Sequence, residues 1–239
     1  IIMCCVVIFL EGGSYSRILD PPMSIRIDDQ IIMMPFTGGL NQPDPQFLDW
    51  NGDGLLDCFI NDRDGRLQYW EGLADWQFGD RPLFMLVTKS FQDLKVGAWF
   101  IFNDFDNDGD LDLLSHTRGT DDVSYYGNMN GILQLVNSQL QTSSGFPVYG
   151  GQFVIPNVTD IDADGYLDYF IGDITGRLTY YAGQEFSDTG PQFEFVSDHF
   201  ENIQIVWTPG RHGANSIFFN DLDNDSDLDL IWGDFYQPG

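Results

Sequence analysis

The residues of this chain best suited to chemistry are aspartates that recur in four nine-residue windows. The windows are residues 49–57, 104–112, 160–168 and 221–229, and none contains a Lys or Arg. They hold 17 of the chain's 37 acidic residues, although they account for only 36 of its 239 residues. Carboxylates gathered in this way are typical ligands of hard divalent cations. The sequence therefore indicates four separate metal sites.

Within each window, positions one, three, five and nine carry side-chain oxygens. Position six is Gly in three windows, which favours a sharp turn that brings those oxygens around one point. Position seven varies from Leu to Asp to Tyr, as expected of a ligand supplied by the backbone carbonyl. The predicted ligands are Asp49, Asn51, Asp53 and Asp57, then Asp104, Asp106, Asp108 and Asp112, then Asp160, Asp162, Asp164 and Asp168, and finally Asp221, Asp223, Asp225 and Asp229.

We predict that each loop binds one Ca²⁺, so that the chain binds up to four. Mg²⁺ suits the loops less well, because it requires a strict octahedron and retains several waters. An EF-hand is excluded, since that loop needs an acid at position twelve between flanking helices. The fourth site is expected to be the weakest, because Ser226 occupies the Gly position and strains the turn.

The apolar segments that flank the loops recur along the chain with the same spacing as the loops. The loops start 55, 56 and 61 residues apart, and a period of this size is typical of repeat architectures. Each loop lies between two apolar segments, and a third segment recurs as Gly65–Trp70 and Gly176–Tyr181. We interpret each repeat as four short strands, which predicts an all-β fold of β-propeller blades rather than a β-sandwich. The stretch from Asn137 to Gly151 is predicted to be a long loop inside a blade.

These loops in blade-length repeats resemble the FG-GAP/VCBS repeats of integrin-α-type calcium-binding β-propellers, over residues 23–239. The string from Asp221 to Leu230 is typical of secreted bacterial members. The resemblance implies calcium ligands at positions one, three, five and nine. It also implies a seven-bladed propeller, of which this chain would be a fragment with three full blades and part of a fourth. Alternatively, a strand near Ser24 to Met34 completes the last of four blades.

Composition narrows the possible partners. The net charge of −27 excludes nucleic acid and anionic membrane surfaces, both of which require clustered Lys and Arg. Residues 1–22 begin with an apolar run that we interpret as the remnant of a signal peptide or leader, although a buried strand or a translated upstream fragment is an alternative. We expect the mature domain to be secreted or displayed at the cell surface, without inserting into a membrane. Cys58 is expected to be a buried structural thiol.

A binding function is favoured over catalysis. His116, His199 and His212 lie in no local catalytic motif, and nearly all of the carboxylate pairs belong to the loops, so the protein is not expected to be an enzyme. We expect a binding or adhesion module for an extracellular protein or glycan. The alternative is a non-catalytic propeller attached to a polysaccharide-active or other secreted enzyme domain, and a propeller with its own lyase or hydrolase site ranks third. The aromatic pairs, such as Tyr125-Tyr126, are assigned to the core rather than to a sugar-stacking platform.

Overall fold

The computed structural model describes residues 25–27, 30–32, 40, 43–62, 64–74, 83–151, 154–173, 175–203 and 214–234. These residues form sixteen β-strands and two short 3₁₀ turns, with no α-helix among them. The predicted leader, residues 1–22, lies outside the described residues. The strands are β1 (Ile25–Ile27), β2 (Gln30–Ile32), β3 (Asp44–Leu48), β4 (Asp57–Asn61), β5 (Leu67–Gly72), β6 (Phe84–Thr88), β7 (Phe100–Asn103), β8 (Asp112–His116), β9 (Val123–Asn128), β10 (Leu133–Asn137), β11 (Asn157–Thr159), β12 (Asp168–Gly172), β13 (Leu178–Ser187), β14 (Gly190–Ser197), β15 (Ala214–Asn220) and β16 (Asp229–Asp234).

The strands pair with their neighbours in sequence to form antiparallel sheets. The first sheet contains β3 to β6, the second β7 to β10, and the third β11 to β14. The described part of the fourth sheet is the pair β15 and β16. Each four-stranded sheet is a simple meander, which is the architecture of a propeller blade. The prediction of an all-β fold of four-stranded blades is therefore confirmed, with three full blades and part of a fourth.

Apolar side chains fill the spaces between consecutive sheets. Neighbouring residues of a strand point to opposite faces, so each middle sheet contributes to two cores. Leu113 packs with residues of the first sheet, whereas Leu114 packs with residues of the third. Tyr169 likewise faces the second sheet and Phe170 the fourth. The sheets are therefore stacked face to face in chain order, with a continuous hydrophobic core at each junction.

The aromatic pairs of the third strands belong to these cores. Tyr69, Tyr125 and Tyr181 are buried, with exposed fractions of 8%, 2% and 5%. Their neighbours Tyr126 and Tyr180 are half-buried and pack against the core on the other face of their sheet. The assignment of these pairs to the core is confirmed. Cys58 is also buried, and burial raises the pKa of its thiol to about 11.

The segment after β10 differs from its sequence-based prediction. Residues 138–156 connect the second and third sheets rather than two strands of one blade. Leu140 and Val148 are buried in the core between those sheets, and the Ser143 N–H donates to the Phe193 carbonyl at 3.1 Å. A polar composition suggested a loose loop, but two apolar anchors and a backbone bond to β14 hold the segment in place.

The N-terminal strands give no support to closure with four blades. β1 and β2 pair with each other, with Ile25 opposite Ile32. Within the described ranges, neither strand pairs with β15 or β16. The alternative in which the Ser24–Met34 region completes the fourth blade is therefore not seen in the part of the chain that is described.

Candidate metal centres

The four acidic loops occupy equivalent places in the four sheets. Each loop joins the first strand of its sheet to the second, and the aspartate at position nine is the first residue of that second strand. The loops therefore lie at the same end of their sheets. This placement is expected from the sequence, because Asp- and Gly-rich segments favour turns over strands and therefore connect one strand to the next.

Within a loop, backbone N–H groups orient the carboxylates. In the second loop, Asp104 accepts bonds from the N–H groups of Asp108 and Gly109, at 3.1 and 3.0 Å. Asp106 accepts from Asp108 at 3.1 Å, and Asp108 accepts from Asp110 at 2.8 Å. The first, third and fourth loops repeat the bonds of the first-position aspartate, through Asp49, Asp160 and Asp221. These local turns curl the chain around the first-position aspartate of each loop.

Two positions of every loop adopt the left-handed conformation. At position six, φ is +84° for Gly54, +95° for Gly109, +94° for Gly165 and +78° for Ser226. At position four, the four residues have φ between +59° and +75°, and they are Gly52, Asn107, Ala163 and Asn224. Only position six was predicted from the sequence to need this conformation. Position four is Gly or Asn in three of the four loops, and this pattern could have predicted a left-handed residue there. Both residue types tolerate the left-handed conformation better than others do.

Three loops bring carboxylate oxygens close together. In each, three aspartates place one oxygen apiece within 4.8 Å of the other two. The groups are Asp104, Asp106 and Asp108, then Asp160, Asp162 and Asp168, and finally Asp221, Asp223 and Asp225. An all-oxygen set of this kind fits a hard divalent cation such as Ca²⁺. The first loop, which is wholly described, has no group of three acids this close, since Asn51 supplies an amide at position three.

The aspartate at position nine has a different environment from the other predicted ligands. Asp57, Asp112 and Asp168 are 0%, 1% and 2% exposed, whereas Asp229 is exposed. Asp112 accepts three bonds, from the N–H of Phe105 at 3.3 Å, the N–H of Asn128 at 2.8 Å and a tyrosine hydroxyl. Asp57 and Asp168 accept the equivalent three. These carboxylates therefore join the loop to the third strand of the sheet, a role that the sequence did not indicate.

Burial affects the ionisation of these groups. It raises the pKa values of Asp112 and Asp168, and the hydrogen bonds that each carboxylate accepts oppose the shift. Burial raises the pKa of Asp106 as well, and the neighbouring Asp104 and Asp108 charges act in the same direction. A bound cation would favour the ionised forms of such groups.

His116 and His199 lie outside these loops. His116 is buried at the end of β8, and its Nδ1 accepts a bond from the Ala98 N–H at 3.0 Å. His199 contacts the adjacent Asp198 at 3.2 Å. His212 lies outside the described residues. In the described part of the chain, no helix is long and apolar enough to span a membrane.

Comparison with known proteins agrees with this repeat organisation. A sequence model of the FG-GAP-like repeat family matches residues 49–115, 104–171 and 160–232. Each match begins at the first aspartate of one loop and ends in the second strand of the next sheet, so that successive matches share a loop. A search of curated proteins finds no significant match.

Proposed function

This chain belongs to the FG-GAP-like repeat family, and we propose from that premise that it is a calcium-stabilised extracellular binding module. In this proposal the β-propeller blades form a scaffold, one Ca²⁺ occupies each acidic loop, and the protein binds a partner without catalysing a reaction. Secretion or display at the cell surface is part of the proposal, because cells maintain high free Ca²⁺ outside and extracellular modules bind it with modest affinity.

The observation that carries the calcium assignment is the convergence of carboxylate oxygens in three loops of similar backbone conformation. Asp104, Asp106 and Asp108 would hold the ion in the second loop, with Asp112 beside them. Three or four like charges at this separation repel one another, and bound Ca²⁺ supplies the positive charge that offsets the repulsion. The variable residue at position seven supports a ligand from the backbone carbonyl, which needs no particular side chain.

The proposed partner is an extracellular protein or glycan. The surface charge supports this class over nucleic acid, because 37 acidic residues face only 10 basic ones. We expect a glycan array and a pull-down to detect a partner in Ca²⁺ and to lose it in EGTA. Capture that is equally strong in EGTA would contradict a calcium-dependent binding module.

Calorimetric titration with Ca²⁺ tests the metal sites directly. We expect Asp108→Ala and Asp164→Ala each to reduce the number of bound ions by about one, since each removes the predicted ligand at position five of one loop. Asp188→Ala is the matched control, because Asp188 is exposed and lies outside the loops. A stoichiometry unchanged in both loop variants would show that the ions bind elsewhere.

A further inference from the structure

Three buried aspartates at position nine are each bonded to a tyrosine of the third strand. The Tyr125 hydroxyl donates to Asp112 at 2.9 Å, and the Tyr69 hydroxyl donates to Asp57 at 3.1 Å. In the third blade Tyr180 makes the same bond to Asp168 at 3.4 Å. The pairs are twelve or thirteen residues apart in sequence and recur in every complete blade.

In each pair the phenol hydroxyl is the donor and the carboxylate oxygen is the acceptor. Burial, and then the negative charge of the nearby aspartate, raise the pKa values of Tyr69 and Tyr125 above the ordinary value of 10. The same two causes raise the pKa of Tyr180 to about 12.

Each of these tyrosines also belongs to the core shared with the next blade. Tyr69 packs with Phe91 of its own blade in a cluster that includes Phe100 and Phe102 of the second blade. Tyr180 packs against the cluster between the third and fourth sheets. One end of each tyrosine therefore holds the acidic loop, while its ring forms part of the junction with the following blade.

Tyr125 shows this double role most clearly. Its ring lies 5.8 Å from the ring of Phe186 in β13 of the next blade. Gly190, at the start of β14, comes so close that a Cβ there would lie 2.5 Å from the Tyr125 ring. The hydroxyl of the same residue donates to Asp112. Any displacement of Asp112 would therefore act directly on the contact between the second and third blades.

We propose that Tyr69, Tyr125 and Tyr180 are positioning residues that couple calcium binding in each loop to the junction between that blade and the next. This inference rests on the proposed calcium function. Each tyrosine holds its aspartate in place before the ion arrives, so the loop is pre-organised. In return, an occupied loop restrains the tyrosine ring and stabilises the adjoining core, since coupling between two events is reciprocal.

The fourth blade is described only through its second strand. Asp229 is exposed and accepts a bond from the Leu222 N–H at 3.0 Å. Within residues 214–234 it has no tyrosine partner, because that range ends before a third strand. The observed bonds therefore support the coupling in the first three loops.

The test compares Tyr125→Phe with Tyr126→Phe, two variants that each remove one hydroxyl from the same strand. Tyr126 is half-buried against the core of the preceding junction, and its hydroxyl has no carboxylate partner among the described residues. Calcium affinity is measured by calorimetry. Hydrogen exchange of the β14 amides, with and without Ca²⁺, reports on the junction between the second and third blades.

We expect Tyr125→Phe to weaken one calcium site by about tenfold, as loss of pre-organisation does when a side chain must be ordered on binding. Calcium should protect the β14 amides in the wild-type protein and in Tyr126→Phe but not in Tyr125→Phe. The same affinity and the same protection in both variants would show that the tyrosine has no positioning role.

Failure of the underlying calcium function gives a different result. If the wild-type protein binds no Ca²⁺, then the proposed function itself is wrong. If the wild-type protein binds Ca²⁺ and Tyr125→Phe binds it equally well, then only the coupling is wrong. Should Tyr125→Phe fail to fold, Tyr69→Phe tests the same bond in the first blade, where loss of affinity in the 49–57 loop is expected and unchanged affinity would overturn the proposal.

Discussion

Ser226 holds the conformation that glycine holds in the other three loops. Its φ of +78° lies in the left-handed region, where a side chain costs roughly 1–2 kcal/mol. A Cβ built on Gly109 meets no atom within 4 Å, so the preference for Gly at this position comes from the backbone and not from lack of space. Position six therefore affects the fourth loop through conformational strain.

Replacing Ser226 with Gly should relieve that strain. We expect Ser226→Gly to raise the free energy of unfolding by about 0.5–1 kcal/mol, because the entropy lost by Gly offsets part of the gain. Gly109→Ser is the matched reverse change and should destabilise by a similar amount. Urea unfolding in Ca²⁺ measures both. A destabilised Ser226→Gly would mean that the hydroxyl makes a contribution larger than the strain.

His116 should make stability depend on pH. It is 4% exposed, and burial lowers its pKa below the ordinary value of 6.5, while the charges of Asp121 and Asp122 act in the opposite direction with smaller effect. The unfolded chain therefore takes up the proton at a higher pH than the folded chain does. Stability is expected to fall as the pH drops below about 6.5.

Urea unfolding between pH 8 and pH 5.5, for the wild type and for His116→Gln, measures this contribution. The difference between the two proteins isolates His116 from the aspartates that titrate in the same range. We expect the wild type to lose more stability than the variant as the pH falls. Equal slopes for the two proteins would contradict the assignment of a buried neutral imidazole.

At the scale of whole elements, Gln46 links the first sheet to the second. Its side-chain amide donates to the Phe102 carbonyl at 3.0 Å, and its oxygen accepts from the Phe102 N–H at 2.9 Å. One side chain of β3 therefore pairs with the outer backbone of β7 as a neighbouring strand would. The link satisfies backbone groups that the edge of the second sheet would otherwise leave unpaired.

Removing this link should weaken the association between the first and second sheets. We expect Gln46→Leu to lower the free energy of unfolding by about 1–3 kcal/mol, because two backbone groups of a buried residue lose their partners. Gln139→Leu is the control, since that exposed side chain bonds only Asp122 at 2.9 Å. Thermal unfolding compares them. A loss of stability no larger than that of the control would show that water replaces the link.

At the scale of the whole molecule, the acidic charge and the proposed calcium binding are connected. A net charge of −27 destabilises a compact chain through self-repulsion, and nearly half of the acids lie in the four loops. Cations that bind only the folded loops should therefore contribute a large share of the stability. Each junction between sheets adjoins the ends of two loops. Stabilisation of a loop by a bound cation would therefore also stabilise the neighbouring sheet.

Chelation should lower the melting temperature of the protein by many degrees. Each site filled at a Ca²⁺ concentration of 100 Kd contributes about 2.7 kcal/mol by mass action. We expect EGTA to remove this contribution and Mg²⁺ to restore little of it, as differential scanning calorimetry in each condition would measure. Identical melting curves with and without EGTA would contradict calcium stabilisation.

Much of the fold and of the candidate site follows from local sequence. The aspartates of each window lie within nine residues of one another, so the turns that orient them depend on neighbouring backbone groups. The consecutive apolar residues Leu113 and Leu114 belong to a predicted strand, and residues that are adjacent in a strand point to opposite faces of the sheet. The spacing of the loops predicts repeated sheets, and the family match and the described strands confirm that prediction.

Other features required tertiary structure because they depend on contacts between distant residues. The bond between Tyr125 and Asp112 forms only when the second and third strands lie side by side, and Gln46 reaches Phe102 across 56 positions of the chain. The anchoring of Leu140 between two sheets likewise depends on how those sheets pack. Local sequence thus predicts the residues that form each loop. The contacts between a loop and the core depend on the tertiary structure, because only folding brings residues distant in sequence within bonding distance.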